Sequence, residues 1–162
     1  MIDPMPDTVY PIVFRLQIPV QGPGFAAGVE FRGGAVVTEE EDGFLAHGLK
    51  PGGVAGVGDT LIEAYLDLKT NTELALYDIA ADAPDFDVFE RKVSGFFKDT
   101  DAWAAHAFDA ARKKVAAGLV QSELPVRPNP ALRHSVTLFV ETAPTNNPKP
   151  SELVLAGLPE AA

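Results

Sequence analysis

The chain has 162 residues, 46% apolar, 22% charged and 9% aromatic, which is enough apolar side chain to bury a core within about one domain. With 13 Lys and Arg against 23 Asp and Glu the net charge is −10. A chain this acidic would draw phosphates in against its own field, so sequence-independent binding to nucleic acid or anionic lipid is not expected. The absence of cysteine excludes a disulfide scaffold, a cysteine zinc site, a thiol nucleophile and an iron–sulfur cluster.

The charge is uneven along the chain. Residues 1–90 carry 16 acids and 4 bases, net −12, whereas residues 91–162 carry 7 acids and 9 bases, net +2. The first residues, Met1-Ile2-Asp3-Pro4-Met5-Pro6-Asp7, hold acids and prolines where a secretory signal needs a basic start and an apolar run. No apolar stretch approaches the roughly 20 residues of a spanning helix, so a cytoplasmic location and no membrane contact are expected.

Residues 12–18 alternate, with Phe14, Leu16 and Ile18 on one side and Arg15 and Gln17 on the other, the period of a half-buried strand. Pro19 and Gly22-Pro23-Gly24 are expected to end it. A weaker strand at Phe25–Phe31 is expected to close at Gly33-Gly34. A hairpin then follows over 35–49, turning through Glu40-Glu41-Asp42-Gly43, because glycine after Asp accepts positive φ at no steric cost. Residues 50–58 form a glycine-rich connection with one short strand at Val54–Val57.

Thr60 and Glu63 stand at the spacing of a capping box, with Asp59 complementing the helix dipole. Leu61, Tyr65, Leu68, Thr72, Leu76 and Ile79 continue as a core-facing stripe up to Pro84. Phe86, Phe89, Val93 and Phe97 form a second stripe behind a cap at Asp85. A third helix, capped by Asp99 or Thr100, carries Ala104, Phe108, Ala111 and Val115 on one face. Arg112-Lys113-Lys114 lie in its last turns and Gly118 is placed to stop it. Pro125, Pro128 and Pro130 hold an extended connection to a strand at Ser135–Thr142, and a Pro- and Asn-rich tail follows Pro144, poorly ordered unless Leu153-Val154-Leu155 dock. Strands, then helices, then a strand imply an α+β fold: a small, mainly antiparallel sheet with helices packed on one face. Residues 1–142 are read as one domain with a helical insertion at about 85–118, and 143–162 as a C-terminal tail.

Asp42-Gly43-Phe44-Leu45-Ala46 followed by Gly58-Asp59-Thr60-Leu61-Ile62-Glu63-Ala64 resembles HicB-like antitoxins over about residues 35–82. The resemblance implies a trimmed ribonuclease-H-like core, here about 10–82 plus 135–142 with an inserted helical pair. It also implies a partner, a small basic toxin (HicA-like) that cleaves messenger RNA and is neutralised when its active site is covered. The Pro-x-x-Pro-Gly that usually precedes the family's third strand is Lys50-Pro51-Gly52-Gly53 in this chain. Gly43, Gly58, Asp59, Thr60, Glu63 and Ala64 are the structural motif that carries the likeness. Nothing after residue 91 reads as the DNA-binding module that family members often add.

The acid run Glu39-Glu40-Glu41-Asp42, with Phe44 beside it, is the candidate partner-binding site. In one reading it is a solvated turn, as charge runs usually are. In the other it is a negative knuckle that matches a basic groove and speeds association. The carboxylates Asp42, Glu63, Asp67, Asp85, Asp87, Asp99, Asp101 and Asp109 are the candidates for two-metal chemistry, which needs several acids converging within about 4 Å of paired ions. Glu63, Asp85 and Asp99 already serve as caps or helix starts, so no metal, cofactor or catalytic residue is expected. His47, His106 and His134 have no ligand spacing. Asp59 would repel a phosphate at the helix that follows the glycine-rich loop. The aromatics Phe86, Phe89, Phe96, Phe97, Trp103 and Phe108 are read as a second small core, with an exposed patch for self-association as the alternative. The expectation is a non-enzymatic antitoxin-type protein that occludes a small basic ribonuclease, itself a homodimer or higher oligomer. The alternatives are an oligomeric scaffold subunit and, behind it, a metal-dependent nuclease.

Overall fold

A computed structural model describes residues 8–120, 122, 124–127, 134–140 and 152–157. Met1–Asp7, Pro128, Pro130, Thr142 and Pro144, on which several of the readings above fall, lie outside the described residues. The class is α+β. Among the described residues seven strands form one sheet, in the order β4 (Ala55–Gly58), β3 (Gly43–Gly48), β2 (Phe25–Glu40), β1 (Val9–Gly22), β7 (Glu152–Ala156) and β5 (Val126–Arg127), with β6 (Ser135–Val140) also paired to β2. Neighbours are antiparallel throughout except β5 beside β7.

Two long strands, β1 (Val9–Gly22) and β2 (Phe25–Glu40), make the spine of the sheet and pair along their whole length. Within these two strands the departures from the sequence expectation are breakers that fail to break. Pro19 sits inside β1, paired with Gly28. The β7 ladder spans only Ile12–Arg15 of β1, so a proline at 19 costs no inter-strand hydrogen bond on that side. Gly33-Gly34 do not close a strand either, because β2 runs straight through them opposite Phe14 and Val13. The Phe31 ring lies where a Gly33 side chain would stand, 2.7 Å from an ideal Cβ, and meets Phe14 edge-on at 5.3 Å. The glycine therefore makes room for an aromatic pair, and the chain turns only at Pro23-Gly24, where Gly24 takes φ +79.

Strand β3 (Gly43–Gly48) returns along the end of β2, β4 (Ala55–Gly58) pairs with β3, and α1 (Leu61–Asp82) follows at once. Half of the box forms as read, the Thr60 hydroxyl accepting from the Glu63 N–H at 3.1 Å; the Glu63 carboxylate reaches one residue further and accepts from the Asp59 N–H at 2.8 Å instead of that of Thr60. Leu61, Tyr65, Leu68, Thr72 and Leu76 are buried, and Ile79 is half-buried. Gly56 and Gly58 let the β4 backbone lie directly on the helix: a Cβ on Gly56 would meet the Ala64 carbonyl at 2.5 Å, and one on Gly58 the Ala64 nitrogen at 2.5 Å. Two helix side chains close the outer edge of β4. Asp67 accepts from the Val57 N–H at 2.9 Å, and Asn71 donates to the Ala55 carbonyl at 2.7 Å, so the edge offers no bare ladder to another strand.

The remaining helices α2 (Phe86–Phe96) and α3 (Ala102–Ala116) are capped by Asp85 and Asp101, whose carboxylates accept from Val88 and Ala104. The cap of α3 is thus Asp101, not Asp99 or Thr100, because its carboxylate stands three residues before the free N–H of Ala104. Gly118 at φ +75 closes α3, with hydrogen bonds from Gly118 to Val115 and from Leu119 to Lys114.

The expectation of helices on one face is corrected. Phe89, Val93 and Phe97 of α2 join α1 over Ile12, Phe14, Leu16 and Ile18. Ala104, Ala107 and Phe108 of α3 cover Val36, with Val9 and Val13 beside them, from the opposite side. Successive strand residues point to opposite faces, and both faces of β1 and β2 carry apolar residues, so both need a cover. The two helices of that pair therefore cover opposite faces of the sheet. Strand β6 (Ser135–Val140) pairs with the first half of β2, and β7 (Glu152–Ala156) pairs with β1 and with β5 (Val126–Arg127). Within the stretch read as a tail, Val154 and Leu155 are buried sheet residues. Among the described residues no helix is long and apolar enough to cross a membrane.

Candidate functional site

The hairpin β2–β3 ends in the acid run. Glu39, Glu40, Glu41 and Asp42 are all exposed, and Gly43 at φ +144 lets the chain return, its α-carbon too close to the Gly58 carbonyl to carry a side chain. That approach sets the turn beside the start of α1, so Asp59 and Glu63 lie at the same end of the molecule. Residues 33–49 and 51–68 contain no Lys or Arg. The acidity is therefore uncompensated by local sequence. Glu40 accepts from the buried Thr38 hydroxyl at 2.8 Å, which holds one of the four carboxylates in place. Phe44 is half-buried, 6.3 Å from the Tyr10 ring. Burial and then the charge of Glu39 raise the Tyr10 pKa above its ordinary value.

Next to the turn, the face of β3 and β4 away from α1 carries Leu45, His47, Ala55 and Val57. Val57 is 62% exposed. At its border Trp103 of α3 is 45% exposed and meets His47 edge-on at 5.3 Å. An apolar strip with an acidic rim is the general form of a protein-binding surface.

Five of the other candidate carboxylates are tied to structural duties. Glu63, Asp67, Asp85 and Asp101 each accept a backbone N–H, and Asp109 lies 3.7 Å from Arg112. Among the described residues no three His, Asp or Glu side chains form a group able to hold a metal. Phe89, Phe97 and Phe108 are buried in the two cores, so of the aromatic run Trp103 alone is an exposed large hydrophobic. Arg112 is also engaged: it donates to the Gly157 carbonyl at 3.2 Å and lies over the Phe108 ring.

The sequence reading missed a second site. Strand β2 has β6 along its first half and β3 along its second, and a notch opens where the two neighbours fail to meet. Phe31, Phe97 and Val136 give it an apolar floor, and Arg32, Lys50 and Lys98 line it with positive charge. Ser94, Ser135 and His134 complete the lining, around a cavity of ≈ 180 Å³. The His134 Nε2 is buried without a hydrogen-bond partner. Burial, and then the nearby Lys50 charge, lower its pKa and favour the neutral ring. These residues come from four separate segments and share no period or motif. The only sequence signal was weak: Arg32 and Lys50 are two of the four bases in the acidic half.

Compared with known proteins, the chain matches no family model, no curated protein and no solved structure.

Proposed function

We propose that the chain is a HicB-like, antitoxin-type protein that binds a small basic ribonuclease toxin and covers its active site without catalysing a reaction itself. The observation that carries this reading is the acidic hairpin tip standing beside the uncovered β3–β4 face. The tip supplies long-range attraction for a basic partner, and Leu45, Val57 and Trp103 supply apolar area to bury once the partner arrives. The order of Asp-Gly turn, strand, glycine connection and capped helix over residues 43–63 is what carries the family likeness, and α1 braces that segment from behind.

The test asks whether the genome that encodes the chain also encodes a short basic protein beside it and, with that protein and the full chain purified, whether the two bind. The pair is expected to associate and to suppress RNA cleavage by the basic partner. Replacing Glu39, Glu40, Glu41 and Asp42 together by Ser is expected to slow association about tenfold or more at low salt and to flatten its salt dependence, with dissociation little changed. Failure of the two proteins to bind, or an on-rate indifferent to the four substitutions, overturns the reading.

A second reading, an oligomeric scaffold subunit, has one observation in its favour. Phe139 and Val140, at the end of β6, are 41% and 47% exposed, a surface on which two copies could meet. A concentration-independent monomer by light scattering removes it.

A further inference from the structure

We propose that the notch between β3, β6 and the last turn of α2 is a binding site for a small organic anion, specifically a phosphate monoester attached to an apolar body. Lys50 and Lys98 line it from the connection after β3 and the residue after the α2 cap, and Arg32 of β2 lines its rim. None of the three makes an ion pair among the described residues, although the chain as a whole is strongly acidic. No carboxylate lines the notch among the described residues. Three like charges on one recess repel one another, and an anion placed between them turns that repulsion into attraction.

The number of cations favours a dianion over a carboxylate, and a phosphate monoester carries close to two charges at neutral pH. On the face of the apolar floor, the buried His134 Nε2 still lacks the partner that a buried polar atom normally has. The α2 dipole presents its negative end here. The phosphate therefore belongs on the Lys50 and His134 side, with Lys98 offsetting the helix carbonyls. The floor explains why the ligand is more than an inorganic ion. Phe31 and Phe97 meet edge-to-face at 4.7 Å and give a ring or short alkyl group an apolar wall. A volume of ≈ 180 Å³ is below the range of drug-sized pockets, so the body is small. This site lies on the opposite half of β2 from the acidic turn, and its fate does not depend on the toxin reading.

The probe is phenyl phosphate, titrated into the full chain at low salt by calorimetry and followed by backbone amide NMR. One saturable site is expected, binding inorganic phosphate at least about fivefold more weakly and benzyl alcohol not measurably. Amide shifts are expected to cluster at Phe31–Gly33, Ser94–Lys98 and His134–Val136. Lys50→Ala and Lys98→Ala, both of residues outside the core, are each expected to weaken binding about five- to tenfold while leaving the melting curve in place. Four outcomes overturn the proposal: no saturation up to roughly 20 mM, affinity indifferent to both substitutions, equal affinity for inorganic phosphate, or shifts centred on Arg112–Lys114.

Discussion

The acidic turn and the cationic notch sit on the same strand, eight residues apart at Glu40 and Arg32, or about 27 Å at the usual rise per residue. One end is built from consecutive residues of a hairpin, and the other from four segments that only the fold brings together. The contrast shows how little a net charge says about surfaces. A total of −10 conceals a recess lined by three cations, and the sharp division between chain halves conceals that two of those cations belong to the acidic half. It also shows two ways of holding a site. The acidic end is braced by backbone lying on backbone, whereas the notch is a gap left between neighbours.

That difference in bracing predicts opposite behaviour for glycine substitutions at the two ends, and the larger effect belongs to the acidic end. Gly56→Val puts a side chain against the Ala64 carbonyl and the Leu68 nitrogen, which are helix backbone and cannot rotate away. The expected loss is about 3 kcal/mol or more, measured as a shift in the urea midpoint at unchanged slope. A variant of unaltered stability would mean that α1 is not seated on β4 as described.

The next effect probes the helix that forms the brace. Tyr65 is 4% exposed, packed edge-on to Phe14 at 5.5 Å, and its pKa is pushed up to about 12 by burial and then by the charge of Glu73. The neutral phenol is favoured in the fold. Its contribution is therefore fully present below the ordinary value near 10 and is lost as the pH rises through about 12. Two pKa units correspond to about 2.7 kcal/mol. Stability measured by denaturation from pH 9 to 12 should fall steeply in the parent and much less in Tyr65→Phe. Tyr10, which is shifted in the same direction, accounts for the remaining slope. Parallel curves for the two proteins would remove Tyr65 from the alkaline limb.

What the sequence made legible follows the same division between local and assembled structure. The α1 cap, the Asp42-Gly43 turn, the stop at Gly118 and the buried stripes were readable because each is a pattern within a few residues. Pro19 and Gly33-Gly34 misled because a breaker acts through what surrounds it. Pro19 lies outside the β7 ladder, and Gly33 is filled by the Phe31 ring. The crossing of α3 to the far face depended on Val9, Val13 and Val36, whose second apolar face is short enough to pass as ordinary strand composition. The notch depended on contacts between segments up to about a hundred residues apart, for which no single-sequence pattern exists.

A smaller effect is expected at the edge that α1 protects. Asp67→Ala and Asn71→Ala each uncover one backbone group of β4 at a partly solvated position, costing about 1 kcal/mol apiece. The more telling readout is association. With both side chains gone, β4 presents an open ladder, and the double variant should associate further than the parent with rising concentration in light scattering. If it stays as the parent is, the edge is guarded by something other than these two residues.

The smallest effect has the opposite sign and lies at the other end of β2. Gly95 is an exposed residue inside α2, beside Ser94 of the notch lining, and an added Cβ there meets nothing within 4 Å. Its φ is not among the positive ones, so Gly95→Ala removes a helix-interior glycine without strain. It should stabilise the fold by about 0.5–1 kcal/mol, mainly by narrowing the unfolded ensemble. Because the methyl group points into open space, phenyl phosphate binding should be unaltered in the same variant. A destabilised Gly95→Ala would mean that the last turn of α2 needs the freedom of glycine, and the notch would then be a rigidly specified structure like the α1–β4 contact and not a space left over between β3 and β6.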